Sequence, residues 1–140
     1  MTICEWTNEY SVGVEEIDLQ HKKLFRLIAE LSSCLEQKES ETMAEEITVR
    51  VIDYVVYHFS TEEKYLVKLA NRSDFQSHHQ QHDLFARKVL LYQAAAVDDS
   101  ESTAREALSF LTRWLQEHIL FLDKKHFADL SRETVAPEGI

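Results

Sequence analysis

The chain reads as all-α: an up-down-up-down antiparallel four-helix bundle preceded by an irregular N-terminal arm. Three observations predict this. Glycine occurs twice and proline once in 140 residues, so tight turns are scarce and long helices with few loops follow. Apolar residues recur at helical steps in four stretches. Short polar segments separate these stretches, which makes helices adjacent in sequence antiparallel neighbours in space. The length suits a single domain over 1–140, with the bundle at about 17–130.

Residues 1–16 form the arm, with Trp6, Tyr10 and Val12-Gly13-Val14 available to pack it onto the bundle. The first helix is expected at roughly 18–37. Its stripe is Ile17, Leu24, Ile28, Leu31 and Leu35, and His21 fills the gap in that series. The second helix, roughly 43–69, carries Ile47, Val51, Val55, His58, Glu62, Leu66 and Leu69. Asn71-Arg72-Ser73-Asp74 breaks it; Asn71 suits a left-handed turn and Ser73 or Asp74 a helix start. The third helix, roughly 75–95, carries Phe75, His78, His82, Phe85, Val89 and Tyr92. After a loop at 97–100, the fourth runs roughly 102–130 through Leu108, Leu111, Leu115, His118 and Leu122. The tail 131–140 holds the proline and is expected to fray.

Twenty-five acidic against fifteen basic side chains give a net charge of −10. Such a surface repels nucleic acid and anionic lipid, so neither is expected as a partner. No stretch approaches the length of a membrane span. The first ten residues lack the basic and apolar regions of a signal peptide, which points to a cytoplasmic location. Cys4 and Cys34 make no CxxC motif and are read as thiols rather than a metal framework or disulfide.

The chemistry lies in the stripes. His21, His58, His78, His82 and His118 occupy inward positions of four different helices. Five imidazoles aimed at one bundle axis cost too much desolvation to be packing choices, and the usual reason for them is metal. His78 and His82 are spaced i, i+4, as are His58 and Glu62, so each pair shares a face. Five nitrogens, two bridging carboxylates and one bridging oxide or hydroxide give one six-coordinate and one five-coordinate metal, with an open position on the second. Nitrogen-rich, thiolate-free sites of this kind suit iron better than magnesium, calcium or tetrahedral zinc. Asp123 is the weakest candidate by spacing, because an i, i+5 step turns about 140° from His118 on an α-helix. Glu63 and His79 fall off the stripes and are read as solvated. His126 is read as lying too far along the axis, roughly 12 Å from His118. The carboxylates are too few for a ferritin-like oxidase site.

The ordered series is Trp6, Ile17-Asp18-Leu19-Gln20-His21-Lys22-Lys23-Leu24-Phe25, His58-Phe59-Ser60-Thr61-Glu62-Glu63, His78-x-x-x-His82-x-x-Phe85 and Trp114-Leu115-Gln116-Glu117-His118-Ile119-Leu120-Phe121-Leu122-Asp123. It resembles the hemerythrin family, most closely its bacterial single-domain members, over about residues 6–130. The resemblance implies two non-haem iron ions with a bridging oxo or hydroxo group, and reversible O₂ binding for storage, delivery or sensing. It implies His78, His82 and His118 on the six-coordinate iron, His21 and His58 on the five-coordinate iron, and Glu62 and Asp123 as bridges. The implied protein is not an enzyme and is a monomer; a redox or respiratory partner is left open. The alternative is a di-iron enzyme reducing peroxide or nitric oxide, and a structural zinc or iron-storage bundle is a third reading. Ala70-Asn71-Arg72-Ser73 and Leu66 depart from bacterial members, where a Gly-Tyr-Pro-like turn and a Met are frequent. Leu24, Phe25, Leu66 and Leu122 lie one turn from these residues and are expected to shape the pocket at the open iron.

Overall fold

The computed structural model describes residues 5–37, 41–95 and 100–135. Cys4, the middle of the first loop at 38–40, the third loop at 96–99 and the end of the tail lie outside the described residues. Four long helical rods make up the structure: α1 (Glu15–Glu36), α2 (Glu41–Leu66), α3 (Arg72–Ala95), and a fourth rod of three parts. That rod comprises α4 (Ser100–Glu117), a π-helical segment (His118–Asp123) and α5 (Lys124–Val135). Backbone angles at Glu117 and Lys124 are helical, so the rod continues through both joints.

Contacts between rods fix their directions. Glu30 meets Arg50 and Gln20 meets His58, so α1 and α2 run opposite ways. Tyr92 packs on Phe110 and Phe85 on Trp114, which orients α3 against α4. Arg105 donates to the Leu35 carbonyl while His21 faces Asp123, which closes the fourth rod antiparallel against α1. The expected up-down-up-down bundle is present.

The predicted stripes are the buried faces. Ile17, His21, Leu24, Ile28, Leu31 and Leu35 of α1 are all buried. So are Ile47, Val51, Val55, His58, Glu62 and Leu66 of α2, with Leu69 just beyond it. The apolar core is nevertheless in two parts. The larger cluster includes Leu24, Phe25, Ile28, Leu31, Phe59, Phe85, Leu108, Leu115 and Ile119. The smaller contains Ile17, Leu66, Leu69, Phe127 and Leu130. On every rod the histidines and carboxylates sit at or next to the junction of these two clusters, forming a polar layer across the bundle.

Two local details differ from the sequence reading. Asn71, rather than Ser73 or Asp74, caps the third helix: its Oδ1 accepts from the Asp74 backbone N–H at 3.1 Å, and α3 begins at Arg72. Leu122 is only half-buried, and Ile119 is fully buried in its stead. Ile119 continues the stripe of Leu108, Leu111 and Leu115, and the extra residue in the π turn rephases Leu122 beyond it.

The arm is tied to the start of α1. Asp18 Oδ2 accepts from Ser11 Oγ at 2.6 Å, and Oδ1 from the Val12 backbone N–H at 2.9 Å. Gly13 takes φ +80° to make that turn, a conformation that costs a side-chain-bearing residue. Lys124 holds the other end through the Glu9 carbonyl at 2.7 Å. Replacing Asp18 by Ala removes two hydrogen bonds to a charged acceptor and should destabilise the protein by about 1–3 kcal/mol. Equilibrium denaturant unfolding measures this, and an unchanged midpoint would show that the arm is not held there.

Candidate metal centre

All seven sequence-predicted residues meet in the polar layer, and all are buried. His21, His78, Glu62 and Asp123 have no exposed surface. Their arrangement follows from the two carboxylates. Glu62 Oε1 lies 2.8 Å from His78 Nε2, 3.0 Å from His82 Nε2 and 3.8 Å from His118 Nε2. Its other oxygen, Oε2, lies 2.9 Å from His58 Nε2 and 3.3 Å from His21 Nε2. Asp123 repeats the division: Oδ1 is 3.0 Å from His78 Nε2 and 3.1 Å from His118 Nε2, while Oδ2 is 3.3 Å from His21 Nε2. Glu62 thus gives one oxygen to a three-histidine nest and the other to a two-histidine nest, while Asp123 gives one oxygen to the first nest and sets the other beside His21.

The π segment delivers Asp123. On an α-helix, residue i+5 would point about 140° away from His118. The i→i+5 turn, closed by the Lys124 N–H on the Ile119 carbonyl, brings Asp123 back over His118. The weak spacing read from the sequence is therefore corrected by local backbone geometry.

The donor set fits metal ions better than it fits itself. The His118 Nε2 atom lies 3.2 Å from Nε2 of both His78 and His82. Metal–ligand bonds of about 2.1 Å in octahedral geometry put adjacent ligand atoms about 3 Å apart, which matches these separations. Both Asp123 oxygens are buried and neither receives an aligned hydrogen bond, although Nε2 atoms are within 3.3 Å. Lone pairs so placed face a common point rather than a proton. The residues group as Glu62, His78, His82, His118 and Asp123 around one such point, and as His21, His58 and Glu62 around another.

The electrostatics agree. Burial pushes His21 and His118 down, but the facing Asp123 and Glu62 carboxylates outweigh it and hold them up at about 9 and about 10. His78 is also raised against burial by the same two groups. Burial lowers His58 by more than the Glu62 and Asp123 carboxylates raise it. Glu62 and Asp123 are driven up by burial and pulled well below the carboxylate range by the histidines. Two buried anions with no Lys or Arg among their ion pairs to described residues require cationic partners inside the layer.

Three side chains outside the predicted set complete the centre. Gln20 Oε1 accepts from His58 Nδ1 at 2.7 Å, and its amide reaches Thr61 Oγ1 at 3.4 Å. Glu63, read as solvated, accepts from His82 Nδ1 at 2.8 Å and from the exposed His79 at 2.7 Å. His126, read as too distant, is buried with its Nδ1 2.7 Å from Nδ1 of His78. In each case the far nitrogen of a histidine is occupied, so Nε2 is the one turned to the carboxylates. Phe59 stacks on His82 at 3.8 Å and Trp114 on His118 at 4.2 Å, fixing those ring planes. Of the expected pocket residues, Leu24 and Phe25 lie in the larger apolar cluster and Leu66 in the smaller, on opposite sides of the polar layer. The only signals for Gln20 and Glu63 in the sequence are their places beside His21 and Glu62.

The family described as "Hemerythrin HHE cation binding domain" matches residues 12–130. The bacteriohemerythrin of Clostridium acetobutylicum is 30% identical over 125 residues, covering 86% of this chain and 96% of its own. That of Pseudomonas aeruginosa (strain PAO1) is 32% identical over 114 residues, 81% and 72% of the two chains. A hemerythrin-like protein of Naegleria gruberi is 35% identical over 121 residues, 86% and 88%. The bundle and the divided cluster of histidines and carboxylates agree with that match over most of the chain: this protein belongs to the hemerythrin family.

Proposed function

We propose that the polar layer holds two non-haem iron ions and binds O₂ reversibly. The observation that carries this reading is the division of Glu62 between the two nests, with Asp123 set in the first and beside His21 of the second. Two bridging carboxylates need two metals. His78, His82 and His118 would hold one iron and His21 and His58 the other, with Glu62 and Asp123 shared between them. So held, the iron pair would supply two electrons and the site for O₂.

The protein's own residues do the rest. Gln20, Glu63 and His126 keep the ring nitrogens pointed inward. The larger apolar cluster, with Phe59, Leu115 and Ile119 packed beside the layer, keeps water away from it. A dry, histidine-rich site favours release of O₂ over its cleavage, because neutral imidazoles stabilise high-valent iron less well than carboxylates. The bacteriohemerythrin relatives are consistent with this function.

The test is repeated oxygenation and evacuation of anaerobically reduced, iron-loaded protein, with O₂ uptake and the visible spectrum recorded. Reversible binding predicts one O₂ taken up and released per iron pair, with colour that bleaches on evacuation. O₂ that is taken up and not released on evacuation would overturn it in favour of an enzyme that reduces O₂.

Iron uptake should also displace protons. His21 and His118, held at about 9 and about 10, carry protons at pH 7 when no metal is bound. A proton on Nε2 occupies the lone pair a metal needs, so raised values mean stronger competition at low pH and weaker competition as pH rises. Calorimetric titration of metal-stripped protein with Fe²⁺, in buffers of different ionisation enthalpy, should show proton release and an affinity that increases from pH 6 to 8. A flat affinity without proton release would contradict the protonation assigned to these histidines.

A further inference from the structure

We infer that His126 is a positioning residue for His78: it determines which ring nitrogen of His78 faces the metal centre. The inference rests on the metal reading above and concerns a residue outside the seven. His126 is 2% exposed, on α5 just beyond the π segment. Its Nδ1 lies 2.7 Å from Nδ1 of His78, with ring centroids 4.9 Å apart and planes tilted by 43°.

At that distance the two nitrogens share one proton, so one ring donates and the other accepts. His78 presents Nε2 to Glu62 at 2.8 Å and to Asp123 at 3.0 Å. For Nε2 to offer its lone pair to a metal, the single proton of the neutral ring must sit on Nδ1. His78 then donates and His126 accepts, with the proton of His126 on its own Nε2. Without that acceptor, a buried Nδ1–H is orphaned, and the ring gains by rotating or by moving its proton to Nε2, where it blocks the metal. Gln20 and Glu63 give the same service to His58 and His82 with an amide and a carboxylate oxygen. The three acceptors thus differ in kind: an amide, a carboxylate and an imidazole.

The π segment makes the contact possible. With one residue fewer, α5 would turn by about 100°, carrying His126 away from His78. The same backbone feature that brings Asp123 inward therefore also brings in the acceptor for His78.

The test compares wild type with His126→Asn and His126→Phe. The Asn oxygen stands where Nδ1 stands and keeps the acceptor; Phe fills the space without one. Each protein is loaded anaerobically with Fe²⁺ and challenged with a chelator, and the rate of iron loss and the charge-transfer spectrum of the oxidised form are recorded. Helix content and thermal unfolding of the metal-stripped proteins are measured alongside. The Phe variant should lose iron about 10–100-fold faster, with a shifted spectrum, while the Asn variant stays near wild type. If the Phe variant does not fold, His126→Gln replaces it, since its oxygen falls at the position of Nε2 and restores no acceptor at Nδ1. A Phe or Gln variant that keeps iron as wild type does, or an Asn variant that loses it as fast as they do, overturns the inference. A wild-type protein that takes up no iron overturns the metal reading itself, and this inference with it.

Discussion

Two carboxylates without exposed surface, Glu62 and Asp123, set the terms for the rest of the bundle. A buried anion is stable only among cations or strong donors. Every rod answers this demand: α1 with His21, α2 with His58, α3 with His78 and His82, and the fourth rod with His118. Because each carboxylate faces two ways, the histidines fall into a nest of three and a nest of two. The polar layer also explains why the apolar core is in two pieces, with Leu24, Phe59 and Ile119 in one and Ile17, Leu66 and Phe127 in the other.

Holding such a layer together requires control of each imidazole's orientation. The structure uses hydrogen bonds from outside, at Gln20, Glu63 and His126, and ring stacking, at Phe59 and Trp114. The stacked pairs lie on the three-histidine side, where the imidazoles are most crowded and like-directed nitrogens come within 3.2 Å. Stability resides in the two apolar clusters. The layer between them contributes function, and depends on positive charge from protons or metal.

Much of this was legible in the sequence, for a physical reason. A helix buries every third or fourth residue, so a histidine standing where Leu is due, as His21 does between Ile17 and Leu24, announces an inward imidazole. The same logic found His58, His78, His82 and His118, and it found the four rods. It failed where the helix stopped being regular. Asp123 looks misplaced on an α-helix, and only the π turn restores it; the same turn moves Leu122 off the buried face and swings His126 inward. Gln20 and Glu63 escaped because their roles depend on contacts across helices rather than on spacing along one. The cap of α3 falls on Asn71 rather than on Ser73 or Asp74, because all three side chains can cap a helix and spacing alone does not choose among them.

Glu62 serves both nests, with one oxygen in each. The most direct measurement is the iron content per chain after anaerobic reconstitution and desalting, for wild type, His58→Ala and Glu62→Ala. If Glu62 bridges, wild type holds about two irons, His58→Ala keeps close to one in the three-histidine nest, and Glu62→Ala retains less than His58→Ala, because both nests lose an oxygen at once. A wild type that saturates at one iron, or a Glu62→Ala variant that still holds two, would contradict it.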